Sequence, residues 1–270
     1  MSSFQQKTCA KCGRYSTAGT QLRRCGSCLA VKYCSSACQT EDWASHKLVC
    51  KNVGAARMEE LLPLMGAAEN GDVATVKKLL EAGAKVDGGA LSEGSQETPL
   101  LTTPLVMTPL FMAAKAGHAS VIAVLLKAGA KINRTTTGGF TPLFIAAQWG
   151  HREAVSVLIG AGAAIDSVTD NIVTGGQLTP LFIAAARGHE AVLAMLIKAG
   201  ADVNRSNDDG CTPLIIAAAH GHEAVLVALL KAGAPMTVTN GGCMPLMAAT
   251  NGGHTSVVAA LRRWIAGIRD

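Results

Sequence analysis

Seven cysteines and one histidine fall within residues 9–50 in a fixed pattern: Cys9-x2-Cys12, Cys25-x2-Cys28, Cys34-x3-Cys38 and His46-x3-Cys50. Thiolate sulfur and imidazole nitrogen are the donors that Zn²⁺ takes in tetrahedral fours. Four such pairs make two complete sites with no position left for water. A saturated site of this kind is structural, whereas a catalytic zinc keeps one position open. A module this small cannot bury enough core to fold alone, so metal binding should supply much of its folding free energy.

The other cysteines are few. Of nine in the chain, only Cys211 and Cys243 lie outside the cluster, each just before a Pro-Leu pair or its near-match. Crowding into C-x-x-C pairs suits metal binding better than disulfides. The opening segment Met1–Lys7 has no apolar signal core. These features predict a reducing, intracellular setting, cytoplasmic or nuclear. The longest apolar stretch, Thr98–Ala114, is broken by Pro99, Pro104 and Pro109. It falls short of the ~18 uninterrupted residues of a membrane helix, so a soluble protein is expected.

The net charge of +5 is unevenly placed. Residues 1–52 hold eight Lys/Arg against two acids, and the remainder sixteen against seventeen. Two Zn²⁺ bound by seven thiolates would remove about three positive charges from the first segment. The excess left is too modest to imply nucleic-acid binding by itself. A nucleic-acid-binding regulator is the alternative reading, and it requires Lys7, Lys11, Arg14, Arg23, Arg24 and Lys32 on one face.

The run Tyr33-Cys34-Ser35-Ser36-Ala37-Cys38-Gln39, with Asp42-Trp43 and His46-Lys47 after it, resembles the MYND-type zinc finger over residues 9–50. The resemblance implies a cross-braced fold. Cys9, Cys12, Cys34 and Cys38 would hold one zinc, and Cys25, Cys28, His46 and Cys50 the other. It also implies a protein-interaction module, several members of which bind short proline-rich peptides through a Gln and a Trp matching Gln39 and Trp43. An indole offers a rigid apolar face for proline rings, and an amide side chain can fix a peptide backbone. The spacing does not match a RING finger.

A Pro-Leu-x-x-Ala-Ala element recurs with proline at 63, 109, 142, 180 and 213, and in a near-match at 245. Its spacing settles near 33 residues. In Thr141-Pro142-Leu143-Phe144-Ile145-Ala146-Ala147-Gln148-Trp149-Gly150-His151 the chain resembles an ankyrin repeat. The predicted architecture is mostly α: a zinc finger over 1–52, a short linker 53–57, and a solenoid of about six helix-pair repeats over 58–270. Inserts are expected near 88–107 and 167–177. Thr108, Thr141, Thr179 and Thr212 read as N-caps before a proline at the first helical position. His118, His151, His189, His222 and His254 read as structural rather than as a metal array.

Where the family carries His after Thr-Pro-Leu, this chain has Phe111, Phe144, Phe182, Ile215 and Met247, which predicts apolar packing in place of a hydrogen bond. Family members bind partners on the concave face, through turn tips and the two residues before Gly-His. That implies a surface containing Lys115, Gln148, Trp149, Arg187 and His220, with Phe140 and Leu178 on the same side. The terminal helix, with Arg262, Arg263 and Arg269, reads as a polar end cap. No phosphate loop, nucleophile elbow or metalloprotease helix appears. The expectation is a non-catalytic adaptor. The finger would capture proline-containing segments and the repeats would hold a second protein.

Overall fold

The computed structural model describes residues 63–87, 107–136, 138–169, 176–236 and 244–267, together with two short strands. The chain divides into two units, Met1–Pro63 and Leu64–Asp270. In the first, β1 (Arg23–Arg24) pairs antiparallel with β2 (Lys32–Tyr33), Arg23 opposite Tyr33 and Arg24 opposite Lys32.

The second unit is a stack of helical hairpins. They are α1 (helical over 63–69) with α2 (Val73–Glu81), α3 (Pro109–Ala116) with α4 (Ala119–Lys127), and α5 (Pro142–Gln148) with α6 (Arg152–Gly160). The series continues with α7 (Pro180–Arg187) and α8 (Glu190–Lys198), α9 (Pro213–Ala219) and α10 (Glu223–Lys231), then α11 (Pro245–Asn251) and α12 (Thr255–Ile265). This is the six-unit solenoid that the period predicts.

Each first helix starts where its sequence dictates. The hydroxyls of Thr108, Thr141, Thr179 and Thr212 accept the amide N–H of the residue three positions on, at 3.1, 3.2, 3.1 and 3.4 Å. A cap of this kind contributes about 1 kcal/mol. Met244, at the same position in the sixth repeat, provides no such bond.

Within the stack the alanine pairs Ala113-Ala114, Ala146-Ala147, Ala184-Ala185 and Ala217-Ala218 are fully buried. They let first helices approach closely. Leu143, Leu158, Leu181 and Leu196 fill the space between first and second helices in one continuous core. Neighbouring first helices pack more tightly than neighbouring second helices. Unequal spacing bends a stack toward its tighter side, so the first helices form the concave side.

Two ladders of hydrogen bonds tie each repeat to the one before it. In the first, the Nε2–H of His118, His151, His189, His222 and His254 donates to the carbonyls of Glu69, Lys115, Gln148, Ala186 and Ala219, at 2.8 to 3.1 Å. The histidines are therefore structural, as expected. Each ring lies over the glycine that ends the preceding repeat's first helix. At Gly150 (φ +72°) a Cβ would sit 2.6 Å from Nδ1 of His189, so both the left-handed backbone and the ring contact exclude a side chain there.

In the second ladder, Asp87, Asn133 and Asp166 accept the amide N–H of Lys131, Ala164 and Asp202 in the next repeat. Asn204 holds the fourth such position. Its partner position is Pro235, which has no N–H to donate, so the ladder is broken between the fourth and fifth repeats.

Hairpins join consecutive repeats. Thr136 donates its N–H to the Phe140 carbonyl and Asn207 does the same to Cys211, closing tight turns. Thr169 pairs identically with Leu178, and its hydroxyl also accepts the Leu178 N–H. The predicted insert near 167–177 thus grows from the tip of an ordinary turn whose base is unchanged. Residues 170–175 and most of the insert near 88–107 lie outside the described residues.

Removing one imidazole tests the first ladder. His189→Ala leaves the Gln148 carbonyl without its partner and a gap over Gly150. It should destabilise the array by about 1–3 kcal/mol in urea unfolding. Amide exchange should accelerate first at the interface between the third and fourth repeats.

Candidate functional site

In the first unit, the eight zinc-ligand positions (Cys9, Cys12, Cys25, Cys28, Cys34, Cys38, His46, Cys50) and the peptide-contact positions Gln39 and Trp43 lie outside the described residues. The strands bracket part of that set along the chain. Cys25 follows β1 directly, Cys28 lies in the segment joining the strands, and Cys34 follows β2 directly. The donor set suits zinc by its chemistry, since thiolate and imidazole are the ligands Zn²⁺ prefers.

The second unit offers a surface rather than a pocket. Among the described residues, no group of three or more His, Cys, Asp or Glu is arranged to hold a metal ion. Trp149 caps the C-terminus of α5 and is 55% exposed. Arg187 ends α7 and His220 caps α9, both exposed. The three precede the helix-ending glycine of successive repeats, so the repeat symmetry sets them in one row on the concave side. The His220 ring is held by Nδ1–H donating to the Ile216 carbonyl at 3.0 Å. Its plane lies nearly parallel to that of His222, 6.1 Å away.

The other predicted contact residues are less open. Lys115 is half-buried in the last turn of α3. Gln148 is half-buried, and its backbone carbonyl is already taken by His189. Phe140 is half-buried with its ring 5.2 Å from that of Phe144. Leu178 is buried with Phe144 and Phe182 in a small second cluster that binds repeats together, and it offers no surface. Phe111, Phe144, Phe182 and Ile215 are buried, so apolar packing does replace the hydrogen bond expected of the family.

The sequence reading missed two features. Ile183 and Ile216 lie one turn before Arg187 and His220 and are half-buried, supplying an apolar floor to the row. The signal was present as i, i+4 spacing along each first helix. Second, the last repeat is not the uniformly polar cap that its arginines suggest. Arg262 and Arg263 are exposed, but so are Met244, Met247 and Ile265. Met247 stands where earlier repeats bury Phe or Ile, and among the described residues no further repeat covers it.

Comparison with known families matches both units. The model described as "MYND finger" matches residues 9–50. Two models of ankyrin repeats match residues 64–169 and 181–230. The chain is an ankyrin-repeat protein carrying a MYND finger. Both are protein-interaction modules without catalytic machinery of their own, and a MYND finger implies zinc binding.

Among curated proteins, part of the chain is similar to SET domain and MYND-type zinc finger protein 6 of Schizosaccharomyces pombe, 37% identical over 57 residues, 21% of this chain and 11% of that protein. Another match is ubiquitin carboxyl-terminal hydrolase 19 of Arabidopsis thaliana, 50% identical over 44 residues, 16% of this chain and 6% of that protein. A third is human Tudor domain-containing protein 1, 41% identical over 50 residues, 18% of this chain and 4% of that protein. The chain thus spans 11% or less of the length of these relatives. Among the described residues no helix is long and apolar enough to cross a membrane.

The exposure of Trp149 separates surface from scaffold. Trp149→Ala should leave stability within about 0.5 kcal/mol of the parent chain. Phe144→Ala, which empties a site only 2% exposed, should cost about 3–5 kcal/mol. Thermal or urea unfolding of the two variants decides the matter. A large loss at Trp149 would make it part of the scaffold.

Proposed function

We propose that the chain is a non-catalytic, two-site adaptor in the cytoplasm or nucleus. The MYND finger captures short proline-containing segments through Gln39 and Trp43. The concave row holds a second protein through Trp149, Arg187 and His220, with Lys115, Gln148 and Phe140 at its margin. The observation that carries this reading is the open indole of Trp149 in register with an exposed Arg on the next repeat. Large aromatic and guanidinium side chains dominate the binding energy of protein interfaces. The short segment 53–57 limits how far the two sites can separate, so one complex can engage both and gain avidity. The named relatives support the reading in one respect. Their names specify a SET domain, a hydrolase and a Tudor domain, so a short segment like part of this chain accompanies unrelated activities, as a recruiting module would.

Two zinc ions complete the finger in this reading, one held by Cys9, Cys12, Cys34 and Cys38 and the other by Cys25, Cys28, His46 and Cys50. Purified protein should contain two equivalents of zinc by elemental analysis. Cys34→Ser should lower that count and unfold the finger, while ellipticity from the repeats persists. A single equivalent in the parent chain would refute the two-site assignment.

The adaptor itself is tested by quantitative affinity purification of the parent chain, Trp43→Ala, and the Trp149→Ala/Arg187→Ala double variant. Each variant should remain folded and lose a different set of proteins. If both retain every specific protein, neither surface is a binding site.

A further inference from the structure

The layer of first helices is charged with a single sign around the concave row. From α3 to α11 these helices carry Lys115 and Arg187 and no Asp or Glu. Glu69, in α1, lies three repeats from Arg187. Acids go instead to the second helices, where Glu153, Glu190 and Glu223 stand in first turns. Elsewhere in the unit, Arg134 and Arg263 lie 3.9 Å and 3.5 Å from Asp87 and Glu223. Among the described residues neither Lys115 nor Arg187 has such a partner, and Glu190 forms no ion pair with Arg187 across the turn between them. The acidic hairpin tip Asp208-Asp209 is remote from the row. It is separated from His220 by α9, seven residues or about 10 Å long. That exceeds the ~8 Å over which physiological salt screens exposed charges. The Asp208 carboxylate also lies against the Gly176 backbone. Arg187 thus stands beside an open indole, over the apolar floor of Ile183 and Ile216, with no acid among the described residues to neutralise it.

We propose that the concave row takes an extended, acidic segment of another protein, with a carboxylate on Arg187 and an apolar side chain on Trp149. The proposal rests on the reading of that row as a binding site and names what it binds. Spacing sets the register. Packed helices lie about 8–10 Å apart, and an extended chain advances about 3.3 Å per residue. Each repeat therefore spans about three residues of the segment. An apolar residue against the Trp149 indole puts the acid for Arg187 three residues to one side. Three residues to the other side the segment passes Lys115, which favours a second acid. A guanidinium matches a carboxylate with two parallel N–H donors, so Arg187 selects by geometry as well as by charge. The His220 ring spends its Nδ1–H on the Ile216 carbonyl, which leaves Nε2 as an acceptor for an N–H or O–H of the segment. A nucleic acid fits less well. Residues 53–270 hold sixteen Lys/Arg against seventeen Asp/Glu, whereas a chain of phosphates is held by several cations acting together. An isoleucine floor also suits side chains of a peptide better than phosphates.

The test pans a library of random peptides of about twelve residues, enough to cross four repeats at that spacing, on the full chain. Selected peptides are then assayed by fluorescence anisotropy against the parent chain and the Trp149→Ala/Arg187→Ala double variant. Both positions are exposed, so the variant keeps its fold. Peptides that need the row should carry Asp or Glu three residues from an aromatic or aliphatic residue. Panned on Arg187→Glu, the library should yield Lys or Arg in place of that acid. Arg187→Ala should weaken the parent's consensus peptide about tenfold, as loss of one charge-assisted hydrogen bond does. Row-dependent peptides without an acidic preference, or with one that Arg187→Glu does not move, would overturn the proposal and leave the row a binding site. If no selected peptide depends on the row, the binding-site reading falls with it. A random single-stranded RNA pool is assayed alongside. RNA binding that needs Trp149 and Arg187, with no acidic peptide selected, would also overturn the proposal and assign the row to nucleic acid.

Discussion

A single contact, an imidazole laid over a left-handed glycine and bonded to the carbonyl two residues before it, sets the spacing of the whole repeat unit. Each ring fixes where the second helix of one repeat begins relative to the end of the first helix of the repeat before it. That explains why none of the five histidine-started helices uses its own first residue as a side-chain cap. The ring is committed to the preceding repeat and cannot also satisfy its own helix. The first repeat has no preceding seat to fill. There Asp72 takes the position and caps its helix instead, with its carboxyl held below the usual range chiefly by the Thr75 hydroxyl and then by the Thr75 N–H. That contribution is present above the ordinary carboxylate pKa and fades as acid protonates the cap.

Once this spacing is fixed, the other regularities follow. Alanine pairs are needed because the rings draw first helices close together. The threonine caps and N1 prolines start each first helix at the same height, so the row ending in Trp149, Arg187 and His220 stays in register. A binding surface made this way inherits its geometry from the scaffold. Its chemistry varies freely at positions that carry no load, and this is why a bulky indole and a guanidinium can sit in adjacent repeats without disturbing either.

Much of this was legible in the residues. The prolines, threonine caps and Gly-His turns fixed the period, the helix starts and the fold, because each acts over a few residues and leaves a local mark. The structural role of the histidines was also readable, but their bond to the preceding repeat was not, since a partner 35 to 49 positions away leaves no local trace. The Asp87, Asn133 and Asp166 ladder was missed for the same reason. Leu178 read as the core position before a threonine cap, on the concave side, without a sign of what would cover it. Its burial comes from Phe144 and Phe182 on other segments. The apolar end face was overlooked because arginines in α12 drew the reading toward a polar cap, whereas Met247 is exposed only by the lack of a covering neighbour among the described residues.

The imino ring of Pro235 gives the solenoid a polarity in time as well as in space. The interface it belongs to, between the fourth and fifth repeats, has one tie where the three preceding ones have two, and farther on α11 starts at Met244 without a hydroxyl to hold its first turn. Thermal fluctuations therefore open the array at the junction of the fourth and fifth repeats, while the repeats before it remain closed. The fifth and sixth repeats act as a fuse, separating early and re-forming against an intact fourth repeat that serves as their template. Such events carry His220, on the fifth repeat, away from Trp149 and Arg187, so the concave row is whole only while that junction is closed.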